Sequence, residues 1–185
     1  MRKLLLWVAF LVLTAVTASA AAKPLKADKV LAEAKTKASE QHKAIFLIFG
    51  ASWCDACHVL DSFLDRPEIR IIFDKYFVVT RLTVFEQIAG KPDLDNPGAD
   101  QLMLKLGGIA SNGEVGLPFF VVMDQKGSAL ITSVRPVKGK PTGIGFPQQP
   151  DEIAWFLDML KHGAPSLTPE EARVIEDRVR KQVED

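Results

Sequence analysis

Both cysteines of the chain, Cys54 and Cys57, fall in the run Ser52-Trp53-Cys54-Asp55-Ala56-Cys57-His58, with two residues between them. The apolar run Ile45 to Phe49 before them reads as a buried strand, and Val59, Leu60, Phe63 and Leu64 after them fall at helical spacing. A Cys-x-x-Cys pair at a strand-to-helix junction places its first sulfur at a helix N-terminus. Unpaired backbone N–H groups and the helix dipole favour negative charge there. Cys54 is therefore expected to be more acidic than a free thiol, solvent-accessible and nucleophilic. Cys57, one turn further in, is expected to be shielded and within reach of a disulfide. The chemistry these residues suit is thiol–disulfide exchange.

Two other readings of the same residues stand beside it. A structural bridge is one, but closing so short a loop removes little entropy from the unfolded chain. The string Cys54-x-x-Cys57-His58 also has the form of a c-type haem attachment site. Zinc would need further nitrogen or sulfur ligands, and the other histidines, His42 and His162, are distant in sequence, so no metal is expected. His58 reads as a solvent-facing helix residue, with proton transfer as its minor alternative. Asp61 and Asp65 read as a solvated face of the cysteine helix.

The elements that must position this pair follow from periodicity. Ala27 to Lys43 reads as an amphipathic helix, followed by strand Ile45–Phe49 and the cysteine helix to about Leu64. Arg66-Pro67 breaks that helix, and a short helix carries Ile69, Ile72 and Phe73. Phe77 to Val84 reads as a strand, Glu86 to Gly98 as a loop, Ala99 to Leu106 as a helix and Ser111 to Gly116 as a loop. Pro118 to Asp124 and Ala129 to Val134 form a hairpin across Gln125-Lys126-Gly127-Ser128. Pro136 to Pro150 reads as a long loop and Asp151 to Lys161 as a helix. Thr168-Pro169-Glu170-Glu171 is a capping box that starts a last helix, with a thin apolar stripe of Ala172, Ile175, Val179 and Val183. The crossovers imply a parallel first pair of strands and the hairpin an antiparallel pair, hence an α/β fold with a central mixed sheet and helices on both faces.

The chain has 185 residues, enough for one domain with a sizeable core. Arg2 and Lys3, the apolar run Leu4 to Val16 and the site Ala18-Ser19-Ala20 read as a signal peptide over residues 1–20. The run is shorter than the roughly 20 residues that span a bilayer. An uncleaved membrane anchor is the alternative, and without a nearby cysteine a lipoprotein anchor is not. The expected divisions are a signal peptide (1–20), a domain (21–165) and a C-terminal helix (166–185). Cleavage removes Arg2 and Lys3 from 23 basic residues set against 23 acidic ones, leaving a net −2. No basic stripe points to nucleic acid. Export to the periplasm or beyond is the expected destination; it is oxidising, so two cysteines alone would also suit a structural bridge, against which their close spacing argues.

Three features, in order, resemble the thioredoxin superfamily: Trp53-Cys54-Asp55-Ala56-Cys57, Gly116-Leu117-Pro118-Phe119-Phe120 and Met123-Asp124-Gln125-Lys126-Gly127. The stretch from Asp65-Arg66-Pro67-Glu68-Ile69 through Phe77-Val78-Val79 is similar to the exported thioredoxin-like subgroup, and the resemblance covers about residues 27–163. It implies a thioredoxin-like fold with an extra C-terminal helix, a cis Pro118, and the backbone of Leu117 open to a substrate strand. It also implies that Cys54 and Cys57 are catalytic and that Trp53, Leu117 and Pro118 contact substrate. The dithiol would be the only cofactor. The implied partners are protein thiols or disulfides and a redox partner that recycles the pair, acting on a monomer. A non-catalytic binding module using loops 86–98 and 135–150 is the rival function. The chain departs from the family in two places. The strand position that usually carries a buried carboxylate, thought to help deprotonate the second cysteine, is Ile48, which leaves His58 or water for that task. Asp55-Ala56 stands between the cysteines, and a carboxylate beside Cys54 opposes thiolate formation, so a weak oxidant is expected.

Overall fold

A computed structural model of the chain describes residues 23–108 and 116–184. The signal-peptide reading of residues 1–20 and most of the loop expected at 111–116 fall outside the described residues. The elements in chain order are α1 (Ala27–Gln41), β1 (Ala44–Gly50), α2 (Asp55–Leu64), α3 (Pro67–Tyr76), β2 (Phe77–Thr83), α4 (Ala99–Lys105), β3 (Phe119–Met123), β4 (Ala129–Thr132), β5 (Val134–Val137), β6 (Lys140–Gly143), α5 (Pro150–Gly163) and α6 (Pro169–Glu184). Four strands form one mixed sheet in the order β2-β1-β3-β4, with β1 parallel to β2 and antiparallel to β3.

The central strand β1 is apolar throughout because both of its faces are covered. Side chains alternate across a strand. Ala44, Phe46 and Ile48 enter one core with α2, α3, α5 and α6, while Ile45, Leu47 and Phe49 enter the other with α1 and α4. Strand β3 repeats the division, with Phe120 and Val122 on the first face and Phe119, Val121 and Met123 on the second. Phe46 sits among four rings, those of Phe73, Phe77, Phe120 and Phe156. Helix α1 lies close to the sheet because the residues it buries are the small Ala27, Ala34 and Ala38. A side chain at Gly163 would meet Val122 at 2.5 Å and Phe77 at 2.7 Å, so only glycine lets the end of α5 approach the sheet.

The last helix belongs to this core. Ile175 and Val179 are buried in the same cluster as Leu60, Phe63 and Phe156. Its capping box forms as the sequence indicates: the Thr168 N–H donates to Glu171 at 3.0 Å and the Glu171 N–H donates to Thr168 Oγ1 at 3.2 Å. The Glu171 carboxylate also accepts from Lys75 Nζ at 2.8 Å and from Tyr76 OH at 2.7 Å, fastening α6 to α3.

Two stretches depart from the sequence reading. The expected loop 136–150 contains an antiparallel hairpin, β5–β6, in which Val137 pairs with Lys140. Its two turn residues, Lys138 (φ 49) and Gly139 (φ 77), both lie in the left-handed region that a tight two-residue hairpin requires. Pro136 and Pro141 argued against strands there, but they face each other at a register position that needs no ladder hydrogen bond. The strand expected over Ala129–Val134 ends at Thr132, because the buried Ser133 turns the chain into that hairpin. Its hydroxyl accepts from the Phe120 N–H at 3.0 Å.

Candidate functional site

The C-terminal end of β1 delivers the chain to the cysteines. Cys54 has extended backbone (φ −94, ψ 102) and is the N-cap of α2, where its sulfur accepts the Cys57 N–H at 3.1 Å. Cys54 and Cys57 form a disulfide with a Cα–Cα distance of 5.2 Å. Each residue is 6 % exposed. Exposure therefore does not distinguish them as the sequence suggested; position does, since Cys54 alone stands at the helix terminus. Gly50 packs against the second sulfur, and a Cβ there would lie 3.3 Å from Cys57 Sγ.

Of the other residues singled out by sequence, Leu117 reaches the site directly. It packs against the cluster of Ala51, Cys54 and Cys57, and the Leu117–Pro118 bond is cis. Pro118 is buried and lines a separate groove of about 410 Å³ with Leu117, Ser133, Val134 and Gly143. Trp53 is exposed beside Cys54, and its indole N–H donates to the Phe85 carbonyl at 2.9 Å. Phe85 has φ 60, an uncommon conformation for a bulky residue that aims this carbonyl at the indole. Asp61 is partly exposed and Asp65 exposed, and they pair with Arg81 and Arg70, each at 2.7 Å. The His58 Nε2 lies 2.9 Å from the Ser52 carbonyl oxygen. A carbonyl only accepts, so that nitrogen carries a hydrogen.

Sequence reasoning missed Glu86. It opens the first of two short 3₁₀ turns, Glu86–Ala89 and Pro92–Leu94, in the segment read as a loop. Glu86 is 0 % exposed. One carboxylate oxygen accepts the Ser52 N–H and the other accepts the Ser52 hydroxyl at 2.7 Å. Its own N–H donates to Asp95 at 3.0 Å, and Asn96 ties the same segment to Thr83 at 2.7 Å. Glu86 lines a cavity of about 310 Å³ with Ile48, Gly50, Ser52, Cys57, His58, Asp61 and Arg81. No periodicity marks a lone acid between Phe85 and Gln87, because its burial depends on Ser52, 34 positions earlier. A larger cavity, about 720 Å³, lies at the other end of the sheet among His42, Lys75, Lys126 and His162, away from the sulfurs.

A family described as thioredoxin-like matches residues 26–125 of the chain. Among solved structures, a disulphide isomerase from Xylella fastidiosa Temecula1 is similar at 19% identity and a TM-score of 0.48, over 88% of this chain and 98% of that one. A thioredoxin from Thermus thermophilus is similar at 20% identity and a TM-score of 0.42, over 77% and 91%. The oxidised C-terminal domain of Neisseria meningitidis DsbD is similar at 21% identity and a TM-score of 0.43, over 75% and 99%. No curated protein matches the chain at a significant level.

Proposed function

Since the chain belongs to the thioredoxin-like family, we propose that it is an exported thiol–disulfide oxidoreductase working through Cys54 and Cys57. The observation that carries the proposal is the Cys54–Cys57 disulfide at the start of α2, with Cys54 as its N-cap. When the pair is reduced, the Cys54 thiolate attacks a substrate disulfide and one substrate sulfur leaves as thiolate. Cys57 then attacks Cys54 Sγ and expels the second substrate sulfur. Two electrons pass from the dithiol to the substrate, and the same steps in reverse oxidise a substrate dithiol. The α2 N-terminus favours the Cys54 thiolate, whereas Asp55 in the first turn opposes it, which suits a weak oxidant.

Trp53 and Leu117 flank the sulfurs and, with Pro118, would receive the substrate segment, the Leu117 backbone pairing with it as a strand. The dithiol serves as the cofactor, and a separate redox partner recycles it. Export is read from residues 1–20; mass spectrometry of the exported protein should find an N-terminus near Ala21 or Lys23, and an intact Met1 in a membrane fraction would favour an anchor instead. No helix among the described residues is long and apolar enough to cross a membrane. The activity is tested by insulin reduction with dithiothreitol as recycling reductant. The protein should accelerate the reaction and Cys54→Ser should not; equal rates for both would refute the proposal.

A further inference from the structure

Resting on the exchange reaction proposed above, we infer that the segment after β2 is a docking surface beside the dithiol, and that it selects disulfides carried on a basic polypeptide segment with an apolar residue at its centre. Three large apolar side chains stand out into solvent there: Trp53 is 38% exposed, Ile88 66% and Leu94 47%. Single exposed apolar residues are ordinary, but these converge. The Phe85 carbonyl accepts both the Trp53 indole N–H at 2.9 Å and the Ile88 N–H at 3.2 Å, which sets Ile88 beside the indole. Leu94 lines the cavity of about 310 Å³ together with Ser52, Cys57 and His58. The apolar surface therefore borders the dithiol. Folding has already fixed it. The Glu86 carboxylate holds Ser52, the Glu86 carbonyl accepts the Lys91 N–H at 2.9 Å, and the Lys91 carbonyl accepts the Leu94 N–H at 3.0 Å. Asn96 exchanges hydrogen bonds with Thr83 at 2.7 and 3.0 Å. A segment tied at these points loses little conformational freedom when a partner lands, so its apolar area counts toward binding.

The charge around this surface indicates the kind of partner it fits. Asp55 adjoins Cys54, and Asp93 and Asp95 flank Leu94. Asp100, at the start of α4, lines a small cavity with Phe85 and Gln87. Against these four carboxylates stands Lys91, the one cation between Val84 and Gly98, while Arg81 is already paired with Asp61 at 2.7 Å. Beyond Gly98 the surface is mixed, with Lys26 and Lys105 near Asp28. The far end of the sheet lacks the acidic bias: its large cavity is lined by Lys75, Lys126, His42 and His162, with Asp124 as the one carboxylate. An apolar centre inside a charged rim is the anatomy of a protein–protein interface. Complementary charge speeds encounter and rejects wrong partners. A second copy of this chain would bring the same acidic rim and be repelled, as would an anionic membrane. A basic segment meets attraction at the rim and apolar contact at Trp53, Ile88 and Leu94, while its disulfide reaches Cys54.

The test uses two synthetic peptides, each with one internal disulfide and one leucine, that differ only in having lysines or glutamates around them. Reduced protein is mixed with each at neutral pH, and reduction of the peptide is followed by chromatography. Neutral hydroxyethyl disulfide, too small to span the rim, serves as the control. The lysine peptide should react about tenfold faster at low salt, the lower end of electrostatic steering. The preference should fall to about twofold at about 0.5 M salt, where charges are screened within a few ångströms. Asp93→Lys combined with Asp100→Lys should remove most of it. Ile88→Ser should slow the lysine peptide roughly fivefold through lost apolar contact and leave hydroxyethyl disulfide unaffected. Equal rates for the two peptides, a faster glutamate peptide or a preference unmoved by salt would overturn the inference while leaving the exchange reaction standing. Equal slowing of the control by Ile88→Ser, or reduction of the control but of neither peptide, would do the same. No reaction with any of the three disulfides would overturn both. The salt series on the parent protein decides alone if a variant does not fold.

Discussion

Glu171 offers a quantitative test of how the last helix is held. Its carboxylate accepts from Lys75 Nζ, Tyr76 OH and the Thr168 N–H. The Lys75 hydrogen bond foremost, then those of Thr168 and Tyr76, lower its pKa from the usual 4.5 to about 2. A carboxylate depressed in the folded state adds stability that is complete above its unfolded value and is lost as pH falls through the folded one. The window is therefore below about pH 4.5 and down to about pH 2. The Glu171 side chain is 20% exposed, but that of Lys75 is 54% exposed, so solvent screening reduces the contribution to about 1–2 kcal/mol. Glu171→Gln keeps the shape and an acceptor but mimics the protonated group. At pH 7 it should lower the urea midpoint by roughly 0.5–1 M, for a slope of about 2 kcal/mol per molar. By about pH 3 the gap between the two proteins should shrink to less than half, because the parent is losing the same charge. A gap that stays constant between pH 7 and pH 3, or none at pH 7, would refute the reasoning.

Three further outcomes follow from other contacts. Phe46→Ala removes the ring at the centre of four others and should cost about 3–5 kcal/mol in urea unfolding; a loss under about 1 kcal/mol would contradict the packing. Gly50→Ala places a methyl 3.3 Å from Cys57 Sγ, and the disulfide holds that sulfur in place whereas a reduced thiol can turn aside. It should therefore destabilise the oxidised protein by about 1 kcal/mol more than the reduced one, and equal losses in parallel unfolding of both forms would place the strain elsewhere. Trp53 adjoins Cys54 and is tethered to Phe85, so its fluorescence should rise when dithiothreitol opens the disulfide; constant emission with two new thiols would contradict that placement.

The strands and most helices were legible because their signals are local. The continuous apolar runs of β1 and β3, Pro67 at the start of α3 and the Thr168–Glu171 box each lie within a few residues. The cysteine pair and Pro118 were legible as motifs. The β5–β6 hairpin was hidden by its prolines, which usually mark loops and are tolerated there only by their register. Glu86 was hidden for a different reason. Its burial and its partner are set by the approach of two segments distant in sequence, and nothing in the residues around it encodes that meeting. The site thus combines a locally written dithiol with a carboxylate that the fold alone supplies.

The central claim is that Cys54 attacks and Cys57 resolves. Its most direct test is to express Cys54→Ser and Cys57→Ser in the exporting compartment and compare non-reducing gels. Cys57→Ser can form the adduct at Cys54 but cannot release it, so it should accumulate mixed disulfides that dithiothreitol removes, and Cys54→Ser should accumulate none. Adducts on Cys54→Ser alone would reverse the roles, and adducts on neither variant would contradict the exchange reaction.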